Sequence, residues 1–194
     1  MYILSGLALF LFSFIPPEKT VREYNIHVAG MKVGQMIAIK QIENDYTTYT
    51  LNSDVSVYII KRYRVIDNLK AVYKDNILQY ATVKTNIGKN EYFSAIIWTK
   101  DHYDVNVNGY KYQNHTTITK QIDWSVAKAY FEAPPSSAKV FSEDFGIFSD
   151  ADYIGPNINQ LVYKGKKNKF TYSNGIMVKA DIQNNIRDFI LTLK

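Results

Sequence analysis

A chain of 194 residues with 46% hydrophobic and 21% charged side chains can build one domain with a full core, and its composition excludes a disordered one. The absence of cysteine excludes disulfides, thiol catalysis, a lipid-modified cysteine and thiolate metal sites together. The formal charge of +5 comes with no basic stripe interleaved with aromatics, so it reads as solubility, and no nucleic-acid partner is expected.

Residues 1–17 hold no side chain charged at neutral pH, and Ile3 to Ile15 is an apolar run of 13 residues. That is the length of a signal-peptide core and short for a membrane span. No Lys or Arg precedes it and no clean small-x-small site follows it. The expectation is a signal peptide or N-terminal anchor over 1–17 and a single β-barrel-like domain over 18–194. The mature chain is expected to start between Phe14 and Lys19, in the periplasm or elsewhere in the cell envelope.

From Arg22 the pattern is strand and turn. Tyr24, Ile26 and Val28 alternate with Asn25 and His27, Gly30 to Gly34 reads as a turn, and Met36 to Ile42 runs back. Tyr49, Leu51, Val55 and Val57 share one parity against Thr48, Thr50, Asn52, Asp54 and Ser56, which predicts a long strand with one dry face. Tyr63, Val65, Leu69, Ala71 and Tyr73 repeat the pattern. Asp67 falls on their apolar side, so it faces a wet cavity or marks a bulge. Asp75-Asn76, Gly88-Lys89-Asn90 and Lys100-Asp101 mark further turns, and Asn108-Gly109 and Asn174-Gly175 carry the type I′ signature.

The clearest helical signal is residues 123–132. Asp123 can cap it, and Ala127, Tyr130 and Phe131 form one apolar face. Pro134 and Pro135 stop it. Two turns cannot stand alone in water, so the helix must lie on a sheet, across one mouth or open face. Ser136 to Gln160 reads as loops with one or two short strands. A hairpin turning at Gly165 to Asn168 and a strand up to Ile182 follow. The end, 186–193, reads as a strand that closes an open edge, although Ile182, Ile186, Phe189, Ile190 and Leu193 also fit a helix. The fold class is therefore mainly β: an antiparallel meander curled into a barrel or half-barrel, with one short helix near 123–132.

Chemistry-bearing motifs are sparse. His27, His102 and His115 lack metal-ligand spacing, and no nucleophile elbow, phosphate loop or dinucleotide fingerprint occurs. Ser142-Glu143-Asp144 reads as a solvated loop anchored by Phe141 and Phe145, ahead of a hydrolase reading in which the two acids work with a histidine. No catalytic residue, metal or cofactor is expected, and the protein is not read as an enzyme. Trp98, Trp124, Tyr130 and Phe131 are the expected lining of an apolar cavity under the helix, with plain core packing as the alternative. Lys164, Lys166, Lys167 and Lys169 crowd one hairpin, where they block edge pairing or touch anionic lipid heads.

The order Val28-Ala29-Gly30-Met31-Lys32-Val33-Gly34, then Ser125-Val126-Ala127-Lys128-Ala129-Tyr130-Phe131-Glu132-Ala133-Pro134, then Val140-Phe141-Ser142-Glu143 resembles a family of uncharacterised exported bacterial β-rich proteins, a domain of unknown function. More distantly the layout is similar to the half-barrels of periplasmic lipoprotein carriers. The resemblance implies fold and address and transfers no functional residue. The functional expectation is an exported envelope protein that binds a lipid, acyl chain or other apolar molecule, with envelope proteins as further partners. The alternative is a structural or protein-interaction module with a filled core.

Overall fold

The computed structural model describes residues 18–58, 62–184 and 187–194. The expected signal peptide or anchor, and Ile186, lie outside the described residues. In chain order the strands are β1 (Glu18–Val28), β2 (Met31–Glu43), β3 (Tyr46–Tyr58), β4 (Arg62–Lys74), β5 (Ile77–Ile87), β6 (Asn90–Trp98), β7 (Tyr103–Gly109) and β8 (Tyr112–Ile118). The helix α1 (Val126–Ala129) and the strands β9 (Lys139–Ser142) and β10 (Ile147–Asp150) follow. The chain ends in β11 (Asp152–Gly155), β12 (Ile158–Tyr163), β13 (Lys166–Ser173), β14 (Ile176–Ile182) and β15 (Phe189–Leu193).

Thirteen of these strands form one antiparallel sheet, in the order β11-β12-β13-β14-β15-β1-β2-β3-β4-β5-β6-β7-β8. The two halves of the chain join where β15 pairs with β1, Tyr24 opposite Leu193. The expected closing strand therefore lies in the middle of the sheet. The sheet is not closed into a barrel: β8 and β11 are its edges. It is nonetheless strongly curled, since the ammonium of Lys164, in the β12–β13 turn, lies 5.2 Å from the Tyr112 ring on β8. Period two explains the curl energetically. Tyr24, Ile26, Met36, Ala38, Tyr49, Leu51, Leu69 and Ala71 all point to one side and share one buried core.

The segment between β8 and β11 fills the concave side. Its two-stranded sheet, β9 with β10, bridges the gap between the sheet edges. Asn114 Nδ2 on β8 donates to the carbonyls of Phe145 (3.1 Å) and Gly146 (3.2 Å). On the other side Ser149 Oγ accepts the Val162 N–H at 2.7 Å, beyond the end of β11. Irregular backbone inside a core needs partners, and tyrosine supplies them. Tyr163, Tyr172 and Tyr112 donate to the carbonyls of Val140 (2.9 Å), Ala129 (2.9 Å) and Phe145 (3.1 Å). Tyr103 accepts from the Ile122 N–H at 3.2 Å. These four tyrosines thus serve the inserted segment as well as the strands.

Several local readings are corrected. The helix is four residues long, and Ser125 rather than Asp123 precedes it, with no side-chain cap. Past Ala129 the N–H groups of Phe131 and Glu132 both donate to the Lys128 carbonyl, at 2.9 and 3.3 Å, and Pro134 and Pro135 end the turn. The turn after β7 is Tyr110-Lys111, not Asn108-Gly109: Gly109 pairs with Tyr112, and Lys111 takes the positive φ of 58°. The turn before β13 is Lys164-Gly165, so Lys166, Lys167 and Lys169 lie on the strand. Gly34 lies inside β2, because a Cβ there would stand 2.2 Å from the Asp54 carbonyl oxygen.

Candidate functional site

The curled sheet has two ends. Turns 29–30, 88–89, 110–111 and 164–165 gather at one, together with the β14–β15 connection. A cavity of about 340 Å³ opens there. Val126 and Tyr130 lie on its floor, so the helical segment plugs the opposite end. That plug is pinned by Lys128 Nζ, which donates to Asn76 Oδ1 in the β4–β5 turn at 2.5 Å, and by Arg22, which donates to the Tyr130 carbonyl at 2.7 Å.

The register of β3, β4 and β5 sets the lining in layers. Toward the mouth stand Val55, Val65 and Ile87, which face one another across the strands. Toward the floor stand Leu51 and Leu69. Between the two apolar layers runs a polar rung: Ser53 opposite Asp67, and Asp67 opposite Thr85. The Thr85 hydroxyl donates to Asp67 Oδ1. The facing wall carries Ser142, Asp144 and Phe145 from the loop after β9. Of the two sequence readings of Asp67, the cavity one holds, since the register shift in this pair of strands lies at Val72/Tyr73.

Asp67 and Asp144 are the acids of this lining, and burial pushes both carboxyl groups above the usual range. Repulsion from Asp67 and Glu143 pushes Asp144 further, while the Thr85 hydrogen bond holds Asp67 down. Asp144 keeps a large accessible surface within the cavity lining. Among the described residues Asp144 has no hydrogen-bond or ion-pair partner. Arg187 is the cation of the described lining, exposed at the rim.

Glu143 corrects the solvated-loop reading. It is fully buried, and its Oε1 accepts the Ala127 N–H at 3.2 Å, satisfying a first-turn donor that Ser125 leaves open. Burial raises its carboxyl, opposed by Ser125 and nearby backbone N–H groups. Glu143 Oε2, Ser125 Oγ and the Tyr73 hydroxyl have no partner of acceptable geometry.

Of the four aromatic residues expected to line a cavity, Tyr130 does so, packed edge-on between Tyr24 (5.8 Å) and Phe170 (6.0 Å). Phe131 packs away from the cavity on Tyr49 at 5.5 Å, under the Arg22 guanidinium. Trp98 packs at a tilt against Tyr103, 4.6 Å between ring centres, and Trp124 lies under the Lys128 ammonium at 4.3 Å. Neither tryptophan is in the lining. The polar rung was missed, although it left a signal: Ser53, Asp67 and Thr85 each interrupt the inward parity of a neighbouring strand. None of the three histidines lines the cavity. His102 instead lies 2.7 Å from Asp101 and 3.2 Å from Asp104 in an exposed turn, and these carboxylates raise its pKa. Among the described residues no cluster of three or more His, Asp or Glu is arranged to hold a metal ion, and no helix is long and apolar enough to cross a membrane.

Residues 24–194 match the family described as Domain of unknown function (DUF6134), and the chain belongs to that family. Comparison with curated proteins and with solved structures gave no match.

Proposed function

We propose that this member of the DUF6134 family is a non-enzymatic protein of the bacterial envelope, exported by its N-terminal segment, that holds an apolar ligand such as a lipid or acyl chain. The observation that carries the reading is the 340 Å³ cavity, open at one end and walled mainly by aliphatic and aromatic side chains. Small-molecule sites have this size and character. A filled-core interaction module is disfavoured by the same cavity. Among the described residues of the lining no nucleophile and base stand paired beside the acids, which supports binding over hydrolysis. The half-barrel analogy with lipoprotein carriers rests on layout alone, and supports the same reading.

Lys164, Lys166, Lys167 and Lys169 lie on the hairpin at the mouth end, where Asn168 enters the lining. Their placement suits peripheral contact with anionic lipid heads, with the cavity mouth turned to the bilayer. The test is native mass spectrometry of protein recovered from the envelope fraction of its own cells. A bound small apolar molecule is expected. Repeated preparations that arrive empty and take up no apolar dye would overturn the reading.

A further inference from the structure

We propose that the cavity prefers an apolar ligand bearing a protonated amine, seated between Asp67 and Asp144, over one bearing a carboxylate. This rests on the reading that the cavity holds an apolar ligand, and narrows it to a chemical class. Three observations carry it. First, the polar rung is narrow: Ser53, Asp67 and Thr85 form a single cross-strand row, with Val55, Val65 and Ile87 on one side and Leu51 and Leu69 on the other. A ligand with one polar group and an apolar body fits such layering. A wholly apolar one leaves the rung uncompensated.

Second, Asp144 stands in the cavity lining, open to its space, and has no hydrogen-bond or ion-pair partner among the described residues. A carboxyl that faces a ligand-sized space with no donor from the protein takes its donor from whatever occupies that space. Asp67 already holds one donor, from Thr85. An ammonium brings three donors and no acceptor, which is the complement of two carboxylates.

Third, the cation of the described lining and two of its tyrosine donors are turned away from the rung. The hydroxyls of Tyr112 and Tyr163, both in the lining, are committed to the carbonyls of Phe145 and Val140. Arg187 stands at the exposed rim rather than at the rung. A carboxylate seated at the rung would add a third acid to a pair that already repel one another. A chain held by a carboxylate at Arg187 would instead cover Asp67 and Asp144 with methylenes, at a desolvation cost.

The test uses the full chain and three eight-carbon probes, octylamine, octan-1-ol and octanoate, each competing with N-phenyl-1-naphthylamine at neutral pH. Octylamine should displace the dye at about one-tenth the concentration that octan-1-ol needs, with octanoate weakest. Asp144→Asn should reduce the amine preference over octan-1-ol to below about threefold. If the dye binds but octan-1-ol or octanoate matches octylamine in the wild type, the amine assignment is overturned and the apolar-ligand reading stands. An amine preference untouched in both Asp144→Asn and Asp67→Asn also overturns it. If neither dye nor any probe binds, both readings fall together. The wild-type ranking decides the matter even if a variant does not fold.

Discussion

Phe131→Ala gives the sharpest test of how the plug is held. The ring is 6% exposed, sits 5.5 Å from Tyr49, and carries the Arg22 guanidinium at 4.9 Å. Burying a phenylalanine removes on the order of 150–250 Å² from water. At about 25 cal/mol per Å² that is roughly 4–6 kcal/mol, an upper bound because the denatured chain already buries part of it. The lost ring–ring and cation–ring contacts offset that reduction by about 1 kcal/mol. Arg22 keeps its hydrogen bond to the Tyr130 carbonyl, which limits the collapse of the site. The expected loss is about 4 kcal/mol, inside the usual range for such truncations. Urea unfolding at constant slope measures it. Because Phe131 lies outside the cavity lining, dye affinity in the folded mutant should stay within about twofold of wild type. A loss below about 1.5 kcal/mol, or a large change in dye binding, would refute the packing described for this ring.

Two further outcomes are expected. Asp67, Glu143 and Asp144 all have carboxyl groups raised by burial, so the native state binds more protons than the unfolded chain across the range from ordinary carboxylate values up to the raised ones. Unfolding free energy should therefore fall as pH rises through that window, by up to about 1.4 kcal/mol per pH unit for Asp67 and for Glu143 and by less for the solvent-accessible Asp144. Asp144→Asn should flatten the slope and gain stability at neutral pH, and a slope unchanged in urea titrations between pH 4 and 8 would count against the upward shift of that carboxyl. Gly34→Ala should cost about 1–3 kcal/mol by thermal unfolding, because its Cβ would meet the Asp54 carbonyl oxygen at 2.2 Å and β2 and β3 would have to move apart. A neutral result there would show that the pair yields more readily than its register implies.

Strand content was legible because burial on one sheet face imposes period two on the sequence. Tyr49, Leu51 and Val55, and Val65, Leu69 and Ala71, needed no neighbour to be recognised. Asp67 was legible for the same reason, as a break in that period. Its partners were not. Ser53 and Thr85 are unremarkable polar residues until pairing brings them level with Asp67, and pairing is a property of three strands at once.

A mainly β domain, its alternating faces, most of its turns and the position of the segment that interrupts the meander can all be read along the chain. Those features follow from interactions between residues close in sequence. Long-range packing sets the rest: β15 joins β1 in mid-sheet, the short helix plugs one end while the cavity opens at the other, and Glu143 is buried. An acidic triplet has the composition of a solvated loop. It lies inside here because the helix start needs an acceptor for the Ala127 N–H, and the Glu143 carboxylate is the group the fold brings there. Contacts of that kind, between residues 16 positions apart or more, leave no local pattern to read.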